Sequence, residues 1–437
     1  MDLIVCIVLM FAALLFTVWS GGQLFFATGF GLALFCIYAL RHGNSPRQLG
    51  AMLMVGVKKA LVVILVLLVI GMLTASWMLC GTIPYLVCLG MKLIHPRLFV
   101  LCAFLLCAAI SFLIGTAFGT ANTMGVVLMT IARGCGVSPA ITAGAILCGI
   151  YVGDRCSPMS SSLLLLSTLT GTDHYTNSRR TLRSCLAPLA LACLCYLPFS
   201  LANPMQDAVS DTAAALGESF CLEPVLLLPV AVMFLLCLCR VPMKRAMLGS
   251  IIAACAVALL VQGASPLDLP RVLVLGFHLP EGTLAASLIH GGGISSMASG
   301  CLVVLTSCAL AGILEGTHAT ARFESTGREV GLGRYLRTTV TGILTGAIGC
   351  NQTMALVLTE SIRRGAYPDK DEFLQDLSFG GSLGPVLLPW CITVYIPMQS
   401  IGFAGLGYYP YQFWIFLMLL WRALIWAAHA RKSAKAA

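Results

Sequence analysis

The sequence predicts an all-α polytopic membrane protein with about 10–13 membrane-embedded segments. Two observations carry this. First, 59% of the 437 residues are apolar and only 10% are charged, where a soluble domain carries about 25% charged residues. Mean hydropathy is +0.95. Second, charge is absent from long stretches: residues 3–40, 60–91, 98–132, 134–153, 184–206, 246–267, 282–314, 338–359 and 377–421. A spanning helix needs about 20 mainly apolar residues, so the longest stretches read as pairs of spans. Barrel strands would put a polar residue at every second position, and these stretches do not alternate. A nucleic-acid-binding domain, a disordered chain and an ordinary soluble enzyme are excluded.

The elements follow in order. Residues 1–58 form an N-terminal hairpin, and their uncharged run is too long for the apolar core of a signal peptide. Residues 59–203 form a first repeat, 204–245 an external acidic loop plus a span, 246–421 a second repeat, and 422–437 a cytoplasmic tail. Basic residues cluster at Arg41, Arg47, Lys58 and Lys59, at Arg179, Arg180 and Arg183, at Arg240, Lys244 and Arg245, and in the tail at Arg422, Arg431, Lys432 and Lys435. Residues 207–223 carry four acids and no base. The positive-inside rule places the basic segments and both termini in the cytoplasm and the acidic loop outside. The 20 cysteines lie in apolar stretches with no paired spacing, so they read as small packing residues. No cofactor is expected.

Residues 338–359 lie between two polar segments, 315–337 and 363–376, that both read as cytoplasmic. That run must then turn back on itself as a re-entrant hairpin. Glu315 and Glu360 end apolar runs and read as interfacial. Asp173 and His174 fit a loop, and Tyr408, Tyr409, Tyr411, Trp414, Trp421 and Trp426 an interfacial belt. His290 precedes three glycines in an uncharged stretch and either lines a pathway or packs.

An internal repeat marks the candidate site. Residues 117–124 read Ala-Phe-Gly-Thr-Ala-Asn-Thr-Met, and residues 347–354 read Ala-Ile-Gly-Cys-Asn-Gln-Thr-Met. Each is followed by a Gly/Pro element, Gly153-Asp154-Arg155-Cys156-Ser157-Pro158 in the first half and Gly384-Pro385 through Pro389-Trp390 in the second. Gly119, Gly153, Pro158, Gly349 and Pro389 disfavour continuous helix. Irregular backbone at membrane depth survives only where it is buried in protein or lines a watery cavity, and transporters bind ions at paired breaks of this kind. An ionisable residue in a membrane is a functional-site hypothesis, which singles out Asp154. Ser157, Ser160, Ser161 and Ser162 offer hydroxyl oxygens beside it, which small hard cations prefer. Thr120, Asn122, Thr123, Asn351, Gln352 and Thr353 offer neutral ligands from the two repeats. The alternative is that Asp154 pairs with Arg155 or caps a helix at the membrane edge.

The sequence resembles the NhaC-type Na⁺/H⁺ antiporter family of the ion transporter superfamily, over about residues 61–421. The resemblance rests on Gly115-Thr116 to Gly119-Thr120 with Thr123, on the run 144–158 ending in Gly-Asp-x-x-Ser-Pro, on Asn351 and Gln352 within 349–353, and on Leu388-Pro389-Trp390. It implies two inverted repeats with broken or re-entrant helices and a place in the cytoplasmic (inner) membrane. It also implies exchange of Na⁺ (or Li⁺) for H⁺, with some relatives coupling ions to malate and lactate. The sequence departs from the family at Ser161, where an Asp is expected, at Ser162 and Leu163, where the family has Thr, and at Cys391, where Asn is common.

The expected function is a secondary antiporter, not an enzyme, exchanging a monovalent cation for H⁺, with Na⁺, the one metal ion expected, and the proton sharing Asp154. The second reading is a Na⁺- or H⁺-coupled exchanger of small organic carboxylates. The expected partners are these ions, such a carboxylate, the lipid bilayer and a second copy in a homodimer, with no nucleic acid. No HExxH, GxSxG or phosphate-binding loop signals an enzyme.

Overall fold

The computed structural model describes residues 3–206, 209–239, 241–279, 283–317 and 329–436. Asp207, Arg240 and residues 318–328, parts of the expected acidic loop, third basic cluster and polar segment, lie outside the described residues, as do the side chains of Arg431, Lys432 and Lys435.

The N-terminal helices α1 (Leu3–Ser20) and α2 (Leu24–Arg41) form an antiparallel pair, and α3 (Pro46–Leu79) runs unbroken through residues 58 and 59. At 34 residues α3 is about 50 Å long by its helical rise, well beyond the roughly 30 Å of a hydrocarbon core. Its start is fixed by Pro46 and a reciprocal cap between Ser45 and Gln48. After α4 (Thr82–Leu93) come α5 (Phe99–Ile114), α6 (Ala117–Thr120), a π-helical turn (Ala121–Gly125) and α7 (Val126–Gly134). Then follow α8 (Pro139–Cys156), α9 (Ser161–Thr170) and α10 (His174–Ala202).

The middle of the chain holds α11 (Val209–Ser219), α12 (Leu228–Leu238), α13 (Met243–Leu260), α14 (Asp268–Leu275), α15 (Leu284–Leu288) and α16 (Gly293–Ser296). The two-residue strands Phe277–His278 and His290–Gly291 pair antiparallel there. The last part holds α17 (Ala298–Gly316), α18 (Gly331–Gly349), α19 (Gln352–Arg363), α20 (Lys370–Asp376), a π-turn (Leu377–Gly381), a 3₁₀ turn (Gly384–Leu387), α21 (Ile392–Ser400) and α22 (Phe413–Ala436).

Among the described residues, seven helices are long and apolar enough to cross a membrane, and up to nine if two bent pairs each count as one span. The bends are 95° between Ala213–Ser219 and Pro224–Leu238, and 54° between Lys370–Leu387 and Ile392–Ser400. Shorter apolar helices, Thr82–Leu93, Ser161–Thr170 and Phe413–Ala428, add further segments.

Two layers emerge. A scaffold of α1, α2, α3, α13 and α17 packs tightly, with α3 against α17 through glycine: a Cβ on Gly56 would lie 2.1 Å from the Cys308 carbonyl oxygen, and one on Gly312 would lie 2.3 Å from that of Met52. Small residues let backbones touch where no hydrophobic force separates helix from lipid. The core is built from α5–α10 and α18–α22.

Within the core, two hairpins enter from opposite faces. The open end of the first is tied down by Met205 N–H to Pro96 O and Gln206 N–H to Cys135 O. The open end of the second is held by Arg363–Glu329 and Arg334–Glu372 ion pairs. Helix α10 joins the two levels, since Arg180 pairs with Asp371 at 2.6 Å and Ala202 lies about 33 Å further along by helical rise. The run 338–359 does turn back on itself: α18 and α19 pack as an antiparallel pair around residues 350 and 351.

Part of the predicted aromatic belt turns inward, and Tyr409, Tyr411, Trp421 and Trp426 are half-buried. Trp414 and Tyr408 are buried, and the indole of Trp426 donates to Asp376. Helix α22 packs on α10 and α18, which carries Trp414 into the core and leaves Phe416 exposed. Glu315 pairs with Lys59 and Glu360 with Arg364. All 20 cysteines are free thiols, most of them buried or half-buried between helices.

Candidate functional site

The four helix breaks are built alike in pairs. At the first hairpin tip Gly115 takes a left-handed conformation (φ 76°) and Thr116 an extended one (φ −146°), and α6 begins at the next residue. At the second tip Cys350 is left-handed (φ 49°), Asn351 extended (φ −148°), and α19 begins at the next residue. The backbone thus equates Gly115-Thr116 with Cys350-Asn351, five residues out of register with the repeat legible in the sequence. Gly119 sits inside α6, and Gly349 ends α18. The other two breaks are residues 157–160 between α8 and α9, and residues 388–391, with Pro389, before α21.

Asp154 lies in the last turn of α8 and is buried. Its carboxylate faces the Ser162 hydroxyl, the Ala117 backbone N–H and the Gln352 side chain. Ala117 and Gln352 are the first residues of α6 and α19, so both hairpin tips and the α8–α9 break converge on one acid. Gln352 is fixed from behind, donating to the carbonyl and hydroxyl of Ser382 at 3.0 and 2.7 Å. Tyr151, one turn before Asp154, donates to the Thr393 carbonyl in α21 and ties the two broken helices together.

The break at residues 157–160 is sealed by the protein. The Ser160 hydroxyl caps α9 at Leu163 N–H and donates to the Asp154 carbonyl. The Ser157 hydroxyl accepts from Met159 N–H. Ser178 donates to the Cys156 carbonyl at 2.8 Å, and His174 Nε2 bonds the Pro158 carbonyl at 2.7 Å. Carbonyls that a helix end leaves unsatisfied are therefore taken by the N-cap of α9 and by side chains of α10.

Arg155 does not pair with Asp154. It is buried and turns the other way, donating to the Ser378 hydroxyl at 2.8 Å and its carbonyl at 3.3 Å, with its guanidinium 4.0 Å from the centre of the Phe379 ring. Among the described residues it has no acidic partner. A buried cation with neutral partners draws on charge-assisted hydrogen bonds and the aromatic face. Here it fastens α8 to the π-turn of the second broken helix.

The other expected ligands are divided. The Thr120 and Thr123 hydroxyls donate to the carbonyls of Thr116 and Gly119, each one turn back in its own helix. Asn351 caps α19 at Thr353 N–H. Ser161 and Thr353 are exposed; the serine that faces Asp154 is the next one, Ser162. The acid missing at Ser161 is therefore not missing from the immediate surroundings of Asp154. Asn122 is buried, anchored by its Nδ2 donating to Phe118 O at 2.7 Å, and lines a separate cavity with His290. Cys391 caps nothing with its side chain but receives the Thr393 hydroxyl.

Sequence reasoning missed Ala117, whose contribution is a backbone N–H and leaves no side-chain signature. It missed Tyr151 as well, although three residues before Asp154 on a helix means the same face. The break was expected at Gly119, whereas Gly115 carries the left-handed turn, and its counterpart Cys350 hid the equivalence.

Comparison with known proteins fits this geometry. The sequence profile of the Na⁺/H⁺ antiporter family matches residues 1–197 and 149–426. The chain belongs to the Na⁺/H⁺ antiporter family. Among its relatives is the malate-2H⁺/Na⁺-lactate antiporter of Bacillus subtilis, 26% identical over 403 residues, which span 89% of this chain and 86% of the relative. The Na⁺/H⁺ antiporter NhaC of Alkalihalophilus pseudofirmus is 26% identical over 83% of this chain and 81% of its own. The arginine/ornithine antiporter ArcD of Halobacterium salinarum is 27% identical over 80% of this chain and 75% of its own. As a member of the Na⁺/H⁺ antiporter family with these spans, the protein is a multi-pass membrane transporter.

Proposed function

We propose that this protein is a secondary antiporter that exchanges Na⁺ for H⁺ across the cytoplasmic membrane, with Asp154 holding each ion in turn. The observation that supports this reading is a single buried carboxylate, without a basic partner among the described residues, where two hairpin tips and a broken helix meet. A lone charge at that depth is costly. A proton neutralises it, and so does a monovalent cation, but one carboxylate does not hold both. Arrival of either ion releases the other, and that competition is exchange. The Ser162 hydroxyl adds a neutral oxygen for a small hard cation, and the Gln352 amide N–H steadies the carboxylate. The core then carries the site past the scaffold, as alternating access requires.

Orientation follows from charge. Arg179, Arg180 and Arg183 lie at the face where α20 begins, and α1 starts on that face too, because Leu3 and Ile7 line a groove with Ile362 and Arg363. The positive-inside rule puts this face, and both termini, in the cytoplasm.

A second reading, coupled exchange of small carboxylates, is favoured by the convergence of two helix N-termini on the site, since their partial positive charge suits an anion. The malate/lactate relative points the same way.

The test is a pH-dye assay in proteoliposomes holding a proton gradient, with Na⁺, Li⁺, K⁺ and then malate added in turn. Dequenching by Na⁺ or Li⁺ that disappears in Asp154→Asn is the expected result. Normal exchange by that variant refutes the assignment. Silence to every cation by folded, inserted protein, with a response to malate, selects the second reading.

A further inference from the structure

A cavity of about 220 Å³ lies between core and scaffold, apart from Asp154. Its core wall is one helical face, Asn122, Val126, Thr130 and Arg133, and its far wall is Thr74 and Met78 of α3 with His290 to Gly292. Arg133 lies near the end of α7, beside the face opposite Arg180, where its Nη2 donates to the carbonyls of Ile401 and Gly402 at 3.1 and 2.6 Å. The cavity therefore runs inward from that face, with Arg133 at its mouth and Asn122 deeper, toward the hairpin tip beside Asp154.

Three features of its wall fix the chemistry. The titratable residues lining it are Arg133 and His290, and no acid lines it among the described residues. Asn122 is 1% exposed and its Oδ1 has no partner among the described residues. Its amide nitrogen is already committed to Phe118 O, which fixes the oxygen as the free acceptor. A buried acceptor left unpaired is costly unless something donates to it. The placement of His290, which is exposed, is set by the glycines after it. Gly291, Gly292 and Gly293 are all left-handed, and a Cβ on Gly292 would lie 2.6 Å from the Ala75 backbone nitrogen. The segment is thus pressed against α3 beside Thr74, and His290 lines the cavity together with Asn122. Arg133, eleven residues from Asn122, stands about 16 Å further out along the helix. It guards the entrance and does not share a ligand of three or four carbons with Asn122.

We infer that this cavity is an outer vestibule that binds a small hydroxycarboxylate. The carboxylate meets His290, the hydroxyl donates to Asn122 Oδ1, and Arg133 draws the anion in. A sodium ion on the same path meets two bases and no carboxylate. The inference rests on the carboxylate reading above but uses none of the residues around Asp154. The volume, below the usual range for drug-sized ligands, suits a small metabolite.

The experiment is isothermal titration of the purified full-length protein with L-lactate against propionate and L-malate against succinate, pairs that differ by one hydroxyl. Lactate and malate bind, and removing the hydroxyl weakens binding roughly ten-fold, the worth of one buried hydrogen bond. Asn122→Leu removes the difference within each pair, and the exposed His290→Ala weakens all four. Asp154→Asn abolishes ion exchange yet keeps lactate binding, so failure at one site is told from failure at the other. Equal binding within each pair, an unaltered preference in Asn122→Leu, or no heat with any carboxylate from protein that elutes as a single folded species overturns the proposal.

Discussion

Replacing Gly153 with alanine tests whether α8 is held so tightly that Asp154 has no freedom of position. A Cβ on Gly153 would stand 2.0 Å from the carbonyl carbon of Ser111, 2.2 Å from the amide nitrogen of Phe112 and 2.3 Å from the Ser111 carbonyl oxygen. These are backbone atoms of α5, so no side chain can swing aside. Ordinary contact begins at 3.4 Å. The helices must therefore part by about 1.4 Å (3.4 minus 2.0) at this level, stretching the bond from the Ser111 hydroxyl to the Ile150 carbonyl, now 2.5 Å. Overpacking of this kind costs about 1–3 kcal/mol, and a rigid backbone contact belongs at the upper end. The displaced residue is next to Asp154, and misplacing a reacting group by about 1 Å can lower a rate some hundred-fold. Expected results are a lowered melting temperature in detergent and exchange in proteoliposomes reduced by about two orders of magnitude. Gly29→Ala, where nothing lies within 4 Å, is the control and leaves both unchanged or slightly raises stability. Wild-type stability and exchange in Gly153→Ala refute the reasoning that α5 sets the position of the site.

Three further outcomes are expected. Ser160→Ala removes the α9 cap and the hydroxyl bond to the Asp154 carbonyl, lowering stability by about 1 kcal/mol, measured by thermal unfolding; Ser160→Thr restores most of it. Glu329 is held below the usual carboxylate range first by its hydrogen bonds from Arg363 and then by Arg337. With its folded pKa below the unfolded one, its stabilisation is present above about pH 4.3 and is lost as pH falls through the folded value. Melting curves against pH should thus show a shallower acid limb in Glu329→Gln, and an unchanged limb counts against that ion pair. At the paired hairpin tips, Gly115→Ala forces a side chain onto a φ of +76° and a Cβ within 2.6 Å of the Met159 backbone, so it destabilises by more than 1 kcal/mol. Cys350→Gly relieves a left-handed residue worth about 1 kcal/mol while giving up a buried thiol worth about the same, so it unfolds at nearly the wild-type temperature.

Much of the site was readable because the membrane makes certain residues expensive. Asp154 stands out as an acid between apolar runs, and the glycines and prolines around it announce broken helix. The re-entrant turn of residues 338–359 followed from two polar flanks that both belong on one side. The register of the repeat was not readable, because the matching letters at 117–124 and 347–354 do not mark the matching backbone. Equivalence lies in dihedral angles, which Gly115 and Cys350 share without sharing a side chain. Nor could spacing separate Ser161 from Ser162, since a helix start must be placed to the residue before the face of each is known.

The lipid solvent, the helical class and the isolation of Asp154 as an acid follow from how much apolar surface and how few charges the chain carries along its length. The tertiary structure alone decided what surrounds that acid. It brought the Ala117 amide and the Gln352 carboxamide to Asp154 from segments 235 residues apart (352 minus 117). It turned Arg155 away to the second broken helix and set Asn122 in a cavity of its own. Those choices depend on helices touching through glycine and on backbone groups that carry no letter in the sequence.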